Sequence, residues 1–348
     1  MFSILKPFIF NLDPEIAHDL AIKSLKFNPF PRKLFEVEDE EILNIQLLGK
    51  NFPNPIGLAA GFDKSAEVYN QLLKLGFGFV EVGTVTPLQQ FGNSKPRIFR
   101  LENDGALINR LGFNNDGMEV IKNRIQSKKR EGILGINIGP NKETQDQKND
   151  FCKGIKNFFD ITDYITINIS SPNTDGLRDF HNQEKLKDLL LALNKIKKDL
   201  KNNIPLLLKI SPDIMNDQIN QIVELSIKNN ISALILANTT NGNRENLLSE
   251  AKKESGGLSG EPLREISTSL IKKFYKKLGG KIPIIGVGGI NSGKSAYEKI
   301  IAGASLLQLY TSFVYKGPSI VKNIKKELVE ILKSEGINNI KDAIGKDV

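Results

Sequence analysis

Eight short apolar runs, each rich in β-branched residues and each followed by a helical or loop pattern, constrain this chain most. They are Asn54–Ala60, Phe77–Thr84, Ile133–Gly139, Tyr164–Ser171, Ile204–Ser211, Ala233–Thr240, Ile282–Gly289 and Leu306–Thr311. Runs apolar on both faces are what a parallel sheet covered on both sides requires. Between them lie amphipathic segments such as Gln183–Lys201, with Leu186, Leu189, Leu190, Leu193 and Ile196 on one helical face. From Asn54 to Thr311 the repeat nearly fills the ~250 residues of a (β/α)8 TIM barrel, so an α/β barrel is expected. An open doubly wound sheet is the alternative, weakened because no G-x-G-x-x-G follows the first run.

Polar residues gather at the ends of these runs, where barrel enzymes carry their chemistry. The densest group is Asn168-Ile169-Ser170-Ser171-Pro172-Asn173-Thr174, whose amides and hydroxyls suit a planar, amide-rich ligand better than a phosphate or a metal. The same groups could simply cap their own backbone. Other runs end in Ala60-Gly61-Phe62-Asp63-Lys64, Gly83-Thr84, Asn238-Thr239-Thr240 and Tyr310-Thr311, and Asn137 lies within the third.

Two parts are expected: residues 1–35, an N-terminal two-helix extension, and residues 36–348, the barrel. Met1–Phe10 is strongly apolar, then Asp13 is placed to cap a second helix with Pro14 at its first position. That helix has an apolar face and a mildly basic margin, which fits a membrane interface or a lid on the barrel equally. The acidic run Glu36 to Glu41 reads as solvated, and Gly92–Asn109 as a hairpin or lid. Residues after Gly317 read as a Lys-rich helix, Ile320–Leu332, and a polar tail. No apolar run approaches a membrane span. One cysteine, Cys152, and two histidines, His18 and His181, exclude an internal disulfide and disfavour a metal centre, so none is expected. Cys152 reads as a small core residue. A formal charge of +8 over 348 residues fits an anionic partner or a Lys-rich composition habit.

Lys209 interrupts Leu206-Leu207-Leu208 and Ile210, so its ammonium is carried into the barrel and should face an anion or a polarised carbonyl. Lys64 adds a second cation at the same rim. Gly286-Val287-Gly288-Gly289 and Gly256–Gly260 offer side-chain-free N–H groups, with Tyr310 and Thr311, where barrels commonly bind phosphate. A lysine beside such a cofactor suits a flavin, whose reduction places negative charge on one edge of its ring.

With these motifs in order, the chain resembles the dihydroorotate dehydrogenases, specifically the quinone-dependent class 2 enzymes. The likeness runs from about Leu12 to Gly317 and includes residues 12–18, Gly57–Lys64, Gly83–Pro87, Asn109–Asn114, Gly135–Gly139, Asn168–Thr174, Asn238–Thr240, Gly256–Gly260 and Gly286–Gly289. The resemblance implies a peripheral enzyme of the cytoplasmic face of the cell membrane. It would oxidise dihydroorotate to orotate in pyrimidine biosynthesis and pass electrons through FMN to ubiquinone or menaquinone in a ping-pong cycle. It implies a monomer with no nucleic-acid partner. Ser171 would be the general base, with Thr174 and Phe113 framing a water relay. The substrate would be held by Lys64, Asn109, Arg110, Leu111, Gly112, Phe113, Asn168, Asn173, Asn238 and Thr239. FMN would lie on Ala60, Gly61, Phe62, Asp63, Lys64, Thr84, Asn137, Asn168, Lys209 and Ala237, with its phosphate on Gly260, Gly289, Tyr310 and Thr311. His18, Arg100 and Tyr310 would line a quinone tunnel.

Ala237 departs from the family pattern, which commonly has a hydroxyl touching FMN there. One hydrogen bond, typically ~0.5–1.5 kcal/mol, is then missing or replaced by water. Rival expectations are a tRNA-acting flavin barrel of the dihydrouridine synthase type and a soluble class 1-like enzyme using fumarate or NAD. The first lacks an acid cysteine at the rim, and Ser171 stands where class 1 enzymes carry cysteine.

Overall fold

The computed structural model describes residues 2–27, 39–242 and 244–348. In chain order, helices α1 (Phe2–Phe10) and α2 (Pro14–Phe27) precede a small hairpin, β1 (Ile45–Leu47) and β2 (Lys50–Phe52). The barrel strands are β3 (Ile56–Leu58) and β4 (Phe79–Val85), then β7 (Ile133–Ile138), β8 (Tyr164–Asn168), β9 (Leu206–Ile210) and β10 (Ala233–Leu236), and finally β12 (Ile284–Val287) and β13 (Ala304–Leu309). Between them sit β5 (Ile98–Leu101), β6 (Ala106–Asn109) and β11 (Gly257–Gly260). The eight barrel strands pair in parallel, each with its successor, and β13 closes on β3. Each falls within one expected run or overlaps it, because strands covered on both faces keep a continuous apolar signature.

Helices fill the connections and bury one face each; Gln183–Asp199 covers the barrel with Leu186, Leu189, Leu190 and Leu193. The excursion after β4 is a hairpin, β5–β6, extended by β11 into a three-stranded antiparallel sheet with its own small core of Leu101, Ala106, Ile108, Leu247 and Leu258. Gly256–Gly260, expected to offer side-chain-free N–H groups to a phosphate, is largely the edge strand β11. It pairs Gly257 with Asn109 and Gly260 with Ala106.

Asp13 caps α2 through both Glu15 N and Ile16 N. Helix α2 is clamped to the excursion by Arg97, whose guanidinium meets both oxygens of Glu15 at 2.6 and 3.1 Å. Arg100 reaches the turn between the two helices, donating to Phe10 O and Leu12 O, and stacks on the Phe10 ring. The expected boundary at residues 35–36 lies outside the described residues, as does the first half of the acidic run. Of its described members, Asp39 is not simply solvated: it accepts from Asn54 and from the buried Lys325. The C-terminal helix spans Ser319–Ser334, and the tail beyond it is not merely polar, since Ile337, Ile340 and Ala343 are buried. Cys152 lies on the helix Gln147–Phe158 and packs partly on the main core.

Candidate active site

A cavity of about 430 Å³ opens at the C-terminal rim of the barrel, roofed by the β5–β6–β11 sheet. It gathers Ala60, Gly61, Lys64, Thr84, Asn109, Leu111, Gly112, Phe113, Asn168, Ser171, Asn173, Lys209, Ala237, Asn238, Thr239, Gly260, Gly289, Tyr310 and Thr311. Strand ends around the barrel and the roof above them supply these residues, so convergence is a product of barrel closure.

Several expected residues stand elsewhere. Asn137 lies beneath the cavity, fully buried, and accepts from Thr84 Oγ1 at 2.6 Å and Asn168 Nδ2 at 3.1 Å. Asp63 is turned away: its carboxylate accepts from Glu67 N and Val68 N, which holds its own loop. Burial pushes the Asp63 carboxyl up to about 6, against the pull of those backbone donors. The Arg110 guanidinium points out to Glu254 and Ser255 and stacks on Phe99. Thr174 is buried in the same loop as Ser171 without a hydrogen bond to it.

Ser171 Oγ accepts from Asn173 N at 3.2 Å, and no described histidine or carboxylate hydrogen-bonds to it. Asn173 in turn donates to Asn109 O, tying the serine loop to the roof. Lys209 is buried, paired in register with Asn168, and makes no hydrogen bond or ion pair among the described residues. Burial lowers its pKa, and the negative charge of Glu81 opposes that shift. Lys64 is half-buried; burial lowers its pKa to about 8 although Glu15, Asp19 and Asp63 act in the other direction.

The three expected tunnel residues do not share one open space. Tyr310 lines the main cavity, where burial raises its phenol to about 12. His18 lines a second cavity of about 390 Å³ between α2 and the rim loops, and Arg100 lines neither. Phe62 connects the first two, its ring edge-on to His18 at 5.0 Å and to Tyr310 at 6.1 Å between centroids. His18 is held neutral, its pKa lowered to about 3 by burial and then by Lys64.

Two supporting residues have no motif to announce them. Arg178 clasps two rim loops together, donating to Ser170 O and Thr239 O while pairing with Asp213. Glu81, on β4, is a buried carboxylate at the centre of the barrel, surrounded by donors. A charged residue inside a doubly covered run was its one available signal.

A closed parallel barrel with a cavity at its C-terminal rim, lined by Lys64, Lys209 and several amides, has the architecture of a barrel enzyme. The family model for dihydroorotate dehydrogenase matches residues 42–332. A dihydroorotate dehydrogenase (quinone) from Bartonella tribocorum is 47% identical over 96% of this chain and 93% of its own length. One from Parvibaculum lavamentivorans is 45% identical, covering 100% and 99%. A mitochondrial relative from Arabidopsis thaliana is 41% identical, covering 99% and 81%. The Eimeria tenella enzyme crystallised with ferulenol superposes with a TM-score of 0.92 at 40% identity, covering 96% of both chains. The chain belongs to the dihydroorotate dehydrogenase family, in its quinone-dependent branch.

Proposed function

We propose that this protein oxidises dihydroorotate to orotate and delivers the two electrons to a membrane quinone by a ping-pong cycle, with FMN as its cofactor. The observation that carries the reading is Lys209, a buried cation with no partner among the described residues, at the wall of the cavity that also holds Ser171 and several asparagines. An unpaired buried ammonium is costly unless a ligand supplies the opposite charge.

The chain fits FMN in several respects. Lys209 lines the cavity together with Thr84 and its register partner Asn168, a mixed set of donors and acceptors suited to a flavin ring edge. Gly260 and Gly289 both have positive φ, +101° and +69°, and a Cβ at Gly289 would lie 2.4 Å from Arg264 Cβ. Their bare N–H groups, with Thr311 at the start of the helix Thr311–Lys316, suit a phosphate. Gln308, also on the wall, has an unpartnered buried Oε1. When bound, FMN would accept the hydride leaving C6 of dihydroorotate and later release the electrons to quinone.

The chain's own residues manage charge and the proton. Lys64, as an ammonium, attracts the substrate carboxylate, while Asn109, Asn173, Asn238 and Thr239 offer groups to the ring amides. Ser171 takes the C5 proton. Its hydroxyl is a poor base at its ordinary pKa, so the proton must pass on to water, and Thr174 and Phe113 would frame that path. Tyr310, Phe62 and His18 mark the route toward α2, and Arg100 fixes the junction of the helices through which a quinone would approach. The exposed apolar side chains Ile4, Leu5, Phe8, Leu12, Ile16 and Leu20 give that extension a lipid-facing surface. No described helix is long and apolar enough to cross a membrane.

The test is anaerobic: dihydroorotate is added to the flavin-loaded protein, then a soluble ubiquinone analogue, and the visible absorbance is followed. Bleaching and recovery are expected. Bleaching without recovery would remove quinone from the proposal, and no bleaching would remove dihydroorotate.

A further inference from the structure

Glu81 is fully buried, yet it takes no part in the chemistry above. Its donors come from three other strands. Oε1 accepts from Asn137 Nδ2 at 2.8 Å; Oε2 accepts from Gln308 Nε2 at 2.9 Å, Thr166 Oγ1 at 3.0 Å and Tyr164 OH at 3.2 Å. Space for this is built in: a Cβ on the neighbouring Gly135 would lie 2.0 Å from the Tyr164 ring.

An ionised carboxylate only accepts, so it dictates which end of every adjoining amide faces it. Asn137 must turn its NH2 down to Glu81, which leaves Oδ1 facing up to receive Thr84 Oγ1 and Asn168 Nδ2. Asn168, its NH2 spent, offers Oδ1 to the hydroxyl and N–H of Ser170. The Ser170 hydroxyl, its proton committed, accepts from Asn238 Nδ2 at 2.9 Å. Asn238 Oδ1 then takes Thr239 N. Gln308 is oriented by the same charge, which is why its Oε1 is left facing no protein donor. Thr84, Asn168, Asn238, Thr239 and Gln308 all line the cavity.

We propose that Glu81 is a positioning residue: its single buried charge fixes the orientation of Asn137 and Gln308 and so holds from below the amide and hydroxyl chain that runs to Asn238 and presents donors and acceptors to the flavin and the pyrimidine. This inference rests on the functional reading above. An amide inverted at the base meets partners that cannot follow it, because Asn168 Oδ1 and Asn238 Oδ1 are held by the backbone N–H groups of Ser170 and Thr239, so a buried pair is left mispaired.

The experiment compares Glu81→Gln with the double variant Glu81→Gln/Asn137→Asp. A glutamine places an NH2 where Oε1 stood, opposing the Asn137 NH2 and leaving the base of the chain mispaired. In the double variant the carboxylate introduced at position 137 accepts from that NH2 below and from Thr84 and Asn168 above, so the original polarity returns with the charge moved one residue up. Orotate is titrated against each flavin-loaded protein, reading the flavin's visible spectrum, and thermal melting is recorded alongside. The single variant is expected to keep flavin while its orotate Kd rises about tenfold or more, the scale of one mispaired buried hydrogen bond. The double variant is expected to recover most of that loss. Wild-type orotate affinity and spectrum in Glu81→Gln would overturn the proposal. So would an equal loss of folding, flavin or orotate binding in both variants, which would make Glu81 a packing residue. Wild-type protein that binds orotate with neither variant altered rejects this inference alone; wild-type protein that binds no orotate rejects the functional reading and this inference with it.

Discussion

Lys64 Nζ lies 3.4 Å from His18 Nε2, so one side chain joins the wall of the main cavity to the N-terminal helix α2. With His18 neutral, its ring nitrogen accepts and the ammonium donates. Burial brings the Lys64 pKa down to about 8, within reach of ordinary assay conditions. A lowered lysine pKa means the charge is present below that value and lost above it. Dihydroorotate is an anion, so kcat/KM, which reports the free enzyme, is expected to fall as pH rises through about 8. The limb should be absent from the residual activity of Lys64→Gln. A flat wild-type profile across that pH range would remove Lys64 from carboxylate binding.

Ser171→Ala is expected to retain flavin, because among the described residues Ser171 Oγ is bonded by Asn173 N alone and makes no hydrogen bond to Lys209. Its rate of flavin reduction by dihydroorotate should fall by roughly 10²–10⁴, the usual contribution of a positioned base. Stopped-flow absorbance at neutral pH measures it. Reduction at the wild-type rate would assign proton removal to another group.

The barrel was legible because its strands are buried on both faces and therefore read as uninterrupted apolar runs. Lys209 stood out for the same reason: an ammonium between Leu208 and Ile210 has no solvent face to occupy. By that logic Glu81 was equally visible, yet Phe79-Val80-Glu81-Val82 can pass for a half-exposed strand, and only barrel closure shows that both faces are covered. Arg178 was hidden differently. It sits in the short 3-10 helix Leu177–His181, and its value comes from Ser170 O and Thr239 O, brought to it by strands β8 and β10. Asp63 and Arg110 adjoin site residues in sequence, but their side chains are claimed by local partners, the turn at Glu67 and the carboxylate of Glu254. Neighbourhood in a motif carries no information about side-chain direction.

The Arg97–Glu15 pair is expected to control how firmly α2 sits on the barrel. Arg97 is only 6% exposed and also donates to Phe91 O and Asn93 O. Removing its carboxylate leaves a buried cation short of one partner, so Glu15→Gln should cost about 2–3 kcal/mol, below the full loss of a buried pair because the two carbonyls remain. Burial raises the Glu15 pKa, but Arg97 and then Lys95 outweigh it, and the net shift is downward. The pair's contribution is therefore complete above the ordinary carboxylate range and disappears as pH falls through the lowered folded value. Denaturant unfolding of wild type and variant should converge in that acid window and differ most at neutral pH; parallel curves at all pH values would contradict this.

Helix α1 presents Ile4 and Phe8 to the outside at 72% and 71% exposure, one turn apart on the same face. Such side chains on a short helix are costly in water and favourable at a lipid boundary. Ile4→Ser/Phe8→Ser is expected to weaken binding to liposomes by about a hundredfold or more, since each loses roughly 1.5–3 kcal/mol of apolar transfer when fully inserted. The same variant should leave flavin reduction by dihydroorotate unchanged, because α1 packs on the helix Thr311–Lys316 through Phe10 and Tyr315 and contributes nothing to the pyrimidine wall. Turnover with a quinone dissolved in the bilayer should then drop, while turnover with a water-soluble analogue persists. Co-sedimentation with vesicles and the two quinone assays separate these outcomes. A variant that sediments like wild type would place the lipid contact elsewhere.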